Sequence, residues 1–404
     1  MKGLAITSKG IEDITSLEIK DLIKSKGEIK DSCVIFNIKK LEDLCLLCYR
    51  SQSVDKIMLL LDNFDFKDNK DLVKKLKSKL NKIKLSDWLD KETTFRVSCK
   101  LLKSQISKGL ENSKNFQKRL NNEELSSEQL AGDTGAIIIE TIKKTKKYKQ
   151  KVDLDTPDIT FLLFINQNTA YLGIDFSGRD LHKREYKVFT HPDALRSTIA
   201  YSLLRIADLK PKELLLDPFC HSGEIPIESA LSSTNFPVNY YAKEKFAFLR
   251  FKPLKKLDFN KFFEKIDKKI TKIQKATINC FDPESTNLNA AKKNAKIAGI
   301  KKSLNFSRME TTNLDIKLEK EIIDQIVTHP PEQTKSTNPT DLGEIYDEFF
   351  YQSKFILKKQ GKLVTISRKT DLLKQSAEKH KFKIKQEREV WSGKQVMNVI
   401  TFSK

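Results

Sequence analysis

From Leu214 onward, short apolar runs alternate with segments of helical period, and this alternation constrains the fold more than any other feature of the chain. Strands are expected at 214–217, 277–282, 304–308, 324–329, 362–367, 382–390 and 395–402. Helices are expected at 224–231, 285–298, 341–357 and 372–379. Strand–helix alternation implies a mostly parallel α/β sheet covered on both faces. The last two strands follow one another without a helix, so they form an antiparallel pair at one edge.

In an open parallel sheet, ligands bind beyond the carboxyl ends of the strands, where the strand order reverses. Three strand ends carry residues suited to that place. The first reads Asp217-Pro218-Phe219-Cys220-His221-Ser222-Gly223 and runs into a helix. Gly223 permits close backbone approach, and the helix start offers free N–H donors. The second strand ends Cys280-Phe281-Asp282, placing a carboxylate that can accept both hydroxyls of a ribose. The fourth ends Thr328-His329-Pro330-Pro331-Glu332. Its two prolines make a stiff turn that aims backbone carbonyls into the cleft.

The first 60 residues read as a small α+β unit, with strands at 4–7, 33–37 and 56–61 and helices at 11–26 and 41–50. Gly27 stops the first helix. Residues 62–90 are charged and helical. A second α+β unit follows, with a strand at 95–99, a helix near 126–134, a strand at 136–140, and strands at 160–166 and 169–175 joined by Gln167-Asn168. Between them lies a basic run holding Lys143, Lys144, Lys146, Lys147, Lys149 and Lys151. That run is either a solvated edge or part of a surface facing RNA.

Lys and Arg number 75 against 54 Asp and Glu, a formal net charge of +21. Such a balance draws a protein to a polyanion, nucleic acid first among them, although a lysine-rich composition alone also produces it. Cys45 and Cys48 form the lone Cys-x-x-Cys pair, in an apolar helical run with no second pair nearby. Zinc needs four ligands, so buried packing is expected of them and no metal site is predicted. No run approaches the ~20 apolar residues of a membrane span. The opening Met1–Thr7 lacks a signal-peptide pattern, so a soluble, cytoplasmic protein is expected. His182 and His191 read as turn residues and Trp391 as core.

The ordered strand ends resemble the class I methyltransferase fold, in particular the RNA guanine-N2 methyltransferases that carry a THUMP domain. Asp217 to Gly223 is similar to that family's Asp-Pro-Phe-Cys-Gly-Ser-Gly. Asp282-Pro283-Glu284 with Asn287, Ala290, Ala291, Asn294, Ala295 and Gly299 resembles its ribose-binding strand end and helix. Phe246-Ala247-Phe248 and the segment Asp180 to Val188 resemble further family elements. The resemblance implies a ferredoxin-like unit (1–62), a THUMP RNA-binding domain (63–178), a linking segment with a leading helix (179–212), and a Rossmann-like methyltransferase domain with an antiparallel last strand (213–404). It implies S-adenosylmethionine as cofactor, bordered by Asp217, Phe219, Cys220, Gly223 and Thr328, with Asp282 on the ribose and Glu310 on the adenine amine. It implies tRNA as partner, gripped near its acceptor stem and 3′ end, with the basic run contributing to RNA binding. It implies the turn His329-Pro330-Pro331-Glu332 as the catalytic segment. Cys220 stands where the family has a packing cysteine rather than a nucleophile.

The departures from the family fall on the chemistry. His329 replaces an Asn and Glu332 an aromatic residue that stacks on the base. His329 can accept through one ring nitrogen, and Glu332 could accept from the Watson–Crick edge of guanine. Glu224 replaces a Thr, and His221 a Gly. Two readings stand: a methyltransferase acting on a guanine exocyclic amine, or a tRNA-binding protein whose methyltransferase domain no longer catalyses.

Overall fold

The computed structural model describes residues 1–102, 126–271, 277–333 and 338–404. The N-terminal part contributes β1 (Lys2–Ile6), α1 (Glu12–Ile23), β2 (Gly27–Lys30), β3 (Cys33–Asn37), α2 (Glu42–Arg50), β4 (Lys56–Asp65), α3 (Asn69–Leu80), β5 (Thr94–Leu102), α4 (Ser127–Lys146), β6 (Lys151–Val152), β7 (Ile159–Asn166) and β8 (Thr169–Asp175). These strands form one sheet in the order β2-β3-β1-β4-β8-β7-β5-β6. Antiparallel pairing of β4 with β8 joins the strands of the first 60 residues to β5 through β8. The β7–β8 hairpin turns at Gln167, whose φ is +52°, with Asn166 paired to Thr169.

Residues 136–140 are helical, not a strand. They lie within α4, which the Ser126 hydroxyl caps by accepting from the Gln129 N–H. Ile137-Ile138-Ile139 looks strand-like because branched side chains favour sheets. Helical spacing wins because Leu130, Thr134, Ile137, Ile138, Thr141 and Ile142 fall on one buried stripe. The sequence also misses β2, which starts at the glycine read as a helix stop.

The C-terminal part continues as α5 (Ser197–Ile206), β9 (Leu215–Asp217), α6 (Glu224–Ser233), α7 (Phe259–Asp267), β10 (Ile278–Asp282), α8 (Ser285–Ile297), β11 (Leu304–Arg308), α9 (Leu314–Lys317), β12 (Ile323–Thr328), α10 (Pro339–Ile356), β13 (Leu357–Ser367), α11 (Asp371–Lys379), β14 (Lys383–Ser392) and β15 (Gln395–Ser403). The sheet order is β11-β10-β9-β12-β13-β15-β14. β9 to β13 run parallel, and β15 lies antiparallel between β13 and β14. β10 is buried throughout, as expected of a parallel strand covered on both faces. The order reverses between β9, which leads on one side to β10, and β12 on the other, so the crevice opens above these three strands.

A buried polar knot holds the two parts together. Glu228, on α6, is fully buried and pairs with the equally buried Arg184 at 3.0 Å. The same carboxylate accepts from the Gln52 amide at 2.7 Å and the Tyr186 hydroxyl at 2.8 Å. Arg184 donates onward to the Gln52 carbonyl at 2.6 Å. Removing one partner strands the other charge away from water, a loss of about 3–5 kcal/mol. Thermal melts should therefore place Glu228→Ala well below the Arg184→Met/Glu228→Leu double variant, which leaves neither charge unpaired.

Candidate active site

The crevice is built on Asp217. Its carboxyl accepts the Thr328 hydroxyl at 2.6 Å and the Phe219 N–H at 3.3 Å, tying the ends of β9 and β12 together. Burial pushes its pKa from 3.8 up to about 8, helped by the nearby Asp282 and Glu224 and opposed by those two donors. The turn after it is tight: His221 has φ +46° and Gly223 has φ +89°. A Cβ on Gly223 would sit 3.0 Å from the Ala291 Cβ on α8. A side chain here would therefore press on the neighbouring helix as well as strain the turn.

Asp282 closes β10. It accepts from the His221 N–H through one oxygen, and from the Glu284 N–H and the Asn287 amide through the other, all at 2.9–3.0 Å. A carboxylate has about four acceptor positions. The protein fills three, leaving one, on the oxygen that holds His221. Burial raises the Asp282 pKa despite these donors. Glu310 is exposed just past β11. Asp217, Asp282 and Glu310 therefore follow one another along three adjacent strands spaced about 4.8 Å apart.

Three imidazoles meet beside this row. His191 and His221 stack with centroids 4.4 Å apart, and His221 meets His329 edge-on at 5.7 Å. His221 Nε2 lies 3.0 Å from the His329 carbonyl, which can only accept, so that nitrogen carries the hydrogen. Burial, with His329 and His191 close by, pushes the His221 pKa down to about 3, leaving the ring neutral. Its Nδ1 is then an acceptor. His329 Nε2 faces Glu332 Oε1 at 3.3 Å, which assigns the hydrogen to Nε2 and the lone pair to Nδ1 in the neutral ring. Both Nδ1 atoms are buried and lack a hydrogen-bond partner among the described residues.

Glu332 does not face the crevice as a free acceptor. Arg368 grips it through its backbone N–H at 2.7 Å and through its guanidinium. Burial opposes the charge, but His329 and Arg368 outweigh it and hold the Glu332 pKa at about 2. Arg368 also reaches Asp193 at 3.3 Å. Pro330 is buried, and the Pro331 carbonyl accepts from the Tyr346 hydroxyl at 2.6 Å. The turn is therefore braced on both sides.

Phe219 packs edge-on to Phe349 at 5.4 Å. Cys220 lies against Cys280, Leu288 and Ala291. Burial raises its thiol pKa well above the ordinary range, so it is no nucleophile. Glu224 accepts from Ser222 at 2.7 Å and pairs with Lys187 at 3.5 Å, which offsets its charge. Asn294 clamps the segment before the site to the turn, donating to the Phe189 carbonyl at 2.7 Å and the Ser222 carbonyl at 2.9 Å. The six lysines of the basic run are all exposed, at the end of α4 and in the chain leading to β6. Lys144 pairs with Glu140 and Lys151 with Glu92, both at 2.6 Å. Sequence reasoning missed the roles of His191, Lys187, Asp193 and Arg368. Only the aromatic and charged character of the segment before α5 could have hinted at the first three.

Residues 184–398, more than half the chain, match the family described as the RMKL-like methyltransferase domain, and residues 72–175 match the THUMP domain. A tRNA (guanine(6)-N2)-methyltransferase of Methanocaldococcus jannaschii is 27% identical over 397 residues, covering 96% of this chain and 95% of that one. Among solved structures, a methylase from Clostridium difficile 630 superposes with TM-score 0.81 at 20% identity, over 100% of this chain and 97% of that one. The methyltransferase SMU.472, solved with SAH, gives TM-score 0.79 at 17% identity, again over 100% and 97%. These two likenesses establish the fold.

The Asp217 carboxyl has a testable signature. Its folded-state pKa lies above the unfolded value, so its contribution to stability is full below about pH 4 and is lost as pH rises towards about 8. Melting temperatures of the isolated chain should fall across that window, and Asp217→Asn should flatten the slope.

Proposed function

The chain belongs to the RMKL-like methyltransferase family, and we propose that it transfers a methyl group from S-adenosylmethionine to tRNA, at the exocyclic N2 of a guanine. The observation that carries this reading is the row Asp217, Asp282, Glu310 beside two imidazole acceptors. The donor set suits the cofactor: a buried carboxyl for its ammonium group, a strand-end carboxylate with one open position for a ribose hydroxyl, and an exposed carboxylate for the adenine amine. Bound there, S-adenosylmethionine supplies an electrophilic methyl group. The M. jannaschii relative, named for this activity on tRNA, supports the substrate class. The matched THUMP domain, the exposed basic run and the +21 charge support RNA as partner, met first by residues 63–178, and cytoplasmic work on tRNA.

The chain's own residues then do the rest by positioning. His329 Nδ1 replaces the side-chain oxygen of the family's Asn as acceptor for the amine. Glu332 acts through His329: its carboxylate fixes the tautomer, and Arg368 fixes the carboxylate. The Pro330 carbonyl, which accepts nothing from any described residue, supplies a second acceptor. Two acceptors on the amine hydrogens leave the nitrogen lone pair directed at the methyl group. Of the two, the His329 Nδ1 lone pair takes the proton that the methylated nitrogen sheds, while the carbonyl only accepts a hydrogen bond. Stacking passes from the lost aromatic to the imidazole face of His191, which is partly exposed.

Nucleoside mass spectrometry of tRNA incubated with the chain and labelled cofactor should show N2-methylguanosine. tRNA binding without any labelled nucleoside would favour the non-catalytic reading instead. His329→Ala should lower kcat by about 100-fold with little change in KM, while His329→Asn should recover most of the rate. Cofactor binding should also release a proton near pH 7, as Asp217 ionises beside an ammonium group. Calorimetry in buffers of different ionisation enthalpy reads this directly, and the release should vanish in Asp217→Asn.

A further inference from the structure

A second cleft, of about 210 Å³, lies where three parts of the chain meet. Its wall includes Ser8 and Lys9 after β1, Asp55 before β4, Lys100 on β5, Arg196 before α5 and Trp391 on β14. It opens on the catalytic side of the second sheet. The carboxyl end of β13, Ser367, pairs with Asn398, so the β14–β15 hairpin projects from the end where Arg368 braces the catalytic turn. The hairpin is seated firmly: the Trp391 N–H donates to the Lys9 carbonyl at 2.9 Å, and Arg388 forks onto Asp13 at 2.8 and 3.0 Å.

The charges in this cleft do not close. Lys9 pairs with Asp31 at 3.0 Å, Lys56 with Asp175 at 2.8 Å, and Arg196 with Asp55 at 3.6 Å. Lys100 has no hydrogen-bond or ion-pair partner among the described residues. Burial presses its pKa down, and so do Lys56 and Arg196, while Asp55 and Asp180 hold it up. An ammonium group largely withdrawn from water without a partner calls for an anion. Two further groups lack a hydrogen bond among the described residues: the buried Ser8 hydroxyl, and Asp55 Oδ1, which has only the His182 Nδ1 near it at 3.6 Å. Trp391, partly exposed, adds an aromatic face. A bare anion would answer Lys100 and accept from the Ser8 hydroxyl, but it would leave the carboxylate and the ring unanswered.

We propose that this cleft binds one nucleotide of the RNA substrate away from the methylated base, with its phosphate on Lys100, its base against Trp391, and an exocyclic amine of that base donating to Asp55. The inference rests on the RNA-methylating reading and extends it. An exocyclic amine at this place is carried by adenine, cytosine and guanine, whereas uracil offers Asp55 only its ring N3–H.

The test uses the full chain loaded with cofactor. Lys100→Met and Trp391→Ala should each weaken tRNA binding about tenfold by fluorescence anisotropy, with cofactor affinity unchanged, and Trp391→Phe should restore most of it. Lys100→Met should also make the dependence of log Kd on log salt shallower by about 0.7–0.9. Free nucleoside monophosphates should compete only at far higher concentration than RNA, separating an RNA site from a free-nucleotide site. Wild-type tRNA affinity and salt slope in both variants would overturn the proposal. Photocrosslinking of the wild-type chain to tRNA carrying 8-azidoadenosine or 6-thioguanosine, bases that keep an exocyclic amine, needs no variant. Adducts on the Lys100 or Trp391 peptides are expected, and adducts confined to other peptides would equally overturn it. Failure of the methylating reading is scored separately, by the absence of labelled nucleoside with wild-type chain.

Discussion

The pairing of Arg184 with Glu228 is the contact on which the arrangement of the site depends. Glu228 sits on α6, the helix that begins directly after the turn ending in Gly223. Fixing that helix from below fixes the turn above it. The same carboxylate reaches Gln52 at the end of α2 and its cap, and Tyr186 in the linking segment. Three groups from two other stretches of chain thus satisfy one buried charge. A low-dielectric interior makes such a network strict: it holds when every member is present, and an incomplete set is costly.

Above that base, the site is organised by replacements that compensate one another. The Glu at 332 would be an unpaired buried charge by itself, but Arg368 and His329 accommodate it. His329 would be an ambiguous ring, but Glu332 assigns its hydrogen. His221 would crowd the turn, but its left-handed backbone and its stack on His191 give it a place, and its N–H holds Asp282. Glu224 would repel the cofactor's carboxylate, but Lys187 offsets it. These side chains form one connected set rather than isolated charges, which supports the proposed methyl transfer.

Much of this was legible in the sequence where the information is local. The strand ends at Asp217, Asp282 and Thr328 could be read because turn, proline and carboxylate stand together within a few residues. The antiparallel final pair came from a missing helix. Residues 136–140 misled because three consecutive isoleucines carry the same message for a strand and for a buried helix face, and the deciding partners lie on α3 and β5. The meetings that stayed hidden are those the fold makes from afar. Arg368 is 36 residues from Glu332, and Ser222 is 31 from the His191 N–H it accepts. No periodicity reports such meetings. That a Cβ at Gly223 would also meet Ala291 was hidden for the same reason, since Ala291 lies 68 positions further along the chain.

Gly10 offers one more consequence. A Cβ there would fall 2.1 Å from the Glu389 carbonyl, so the N-terminal segment lies flush against the backbone of β14. The buried knot, this flush seam and further contacts such as Arg205 on Asp21 and Tyr49 on Asp267 join the two parts at several places, which holds them in one arrangement. The span from the N-terminal sheet to the catalytic turn is then a built-in length.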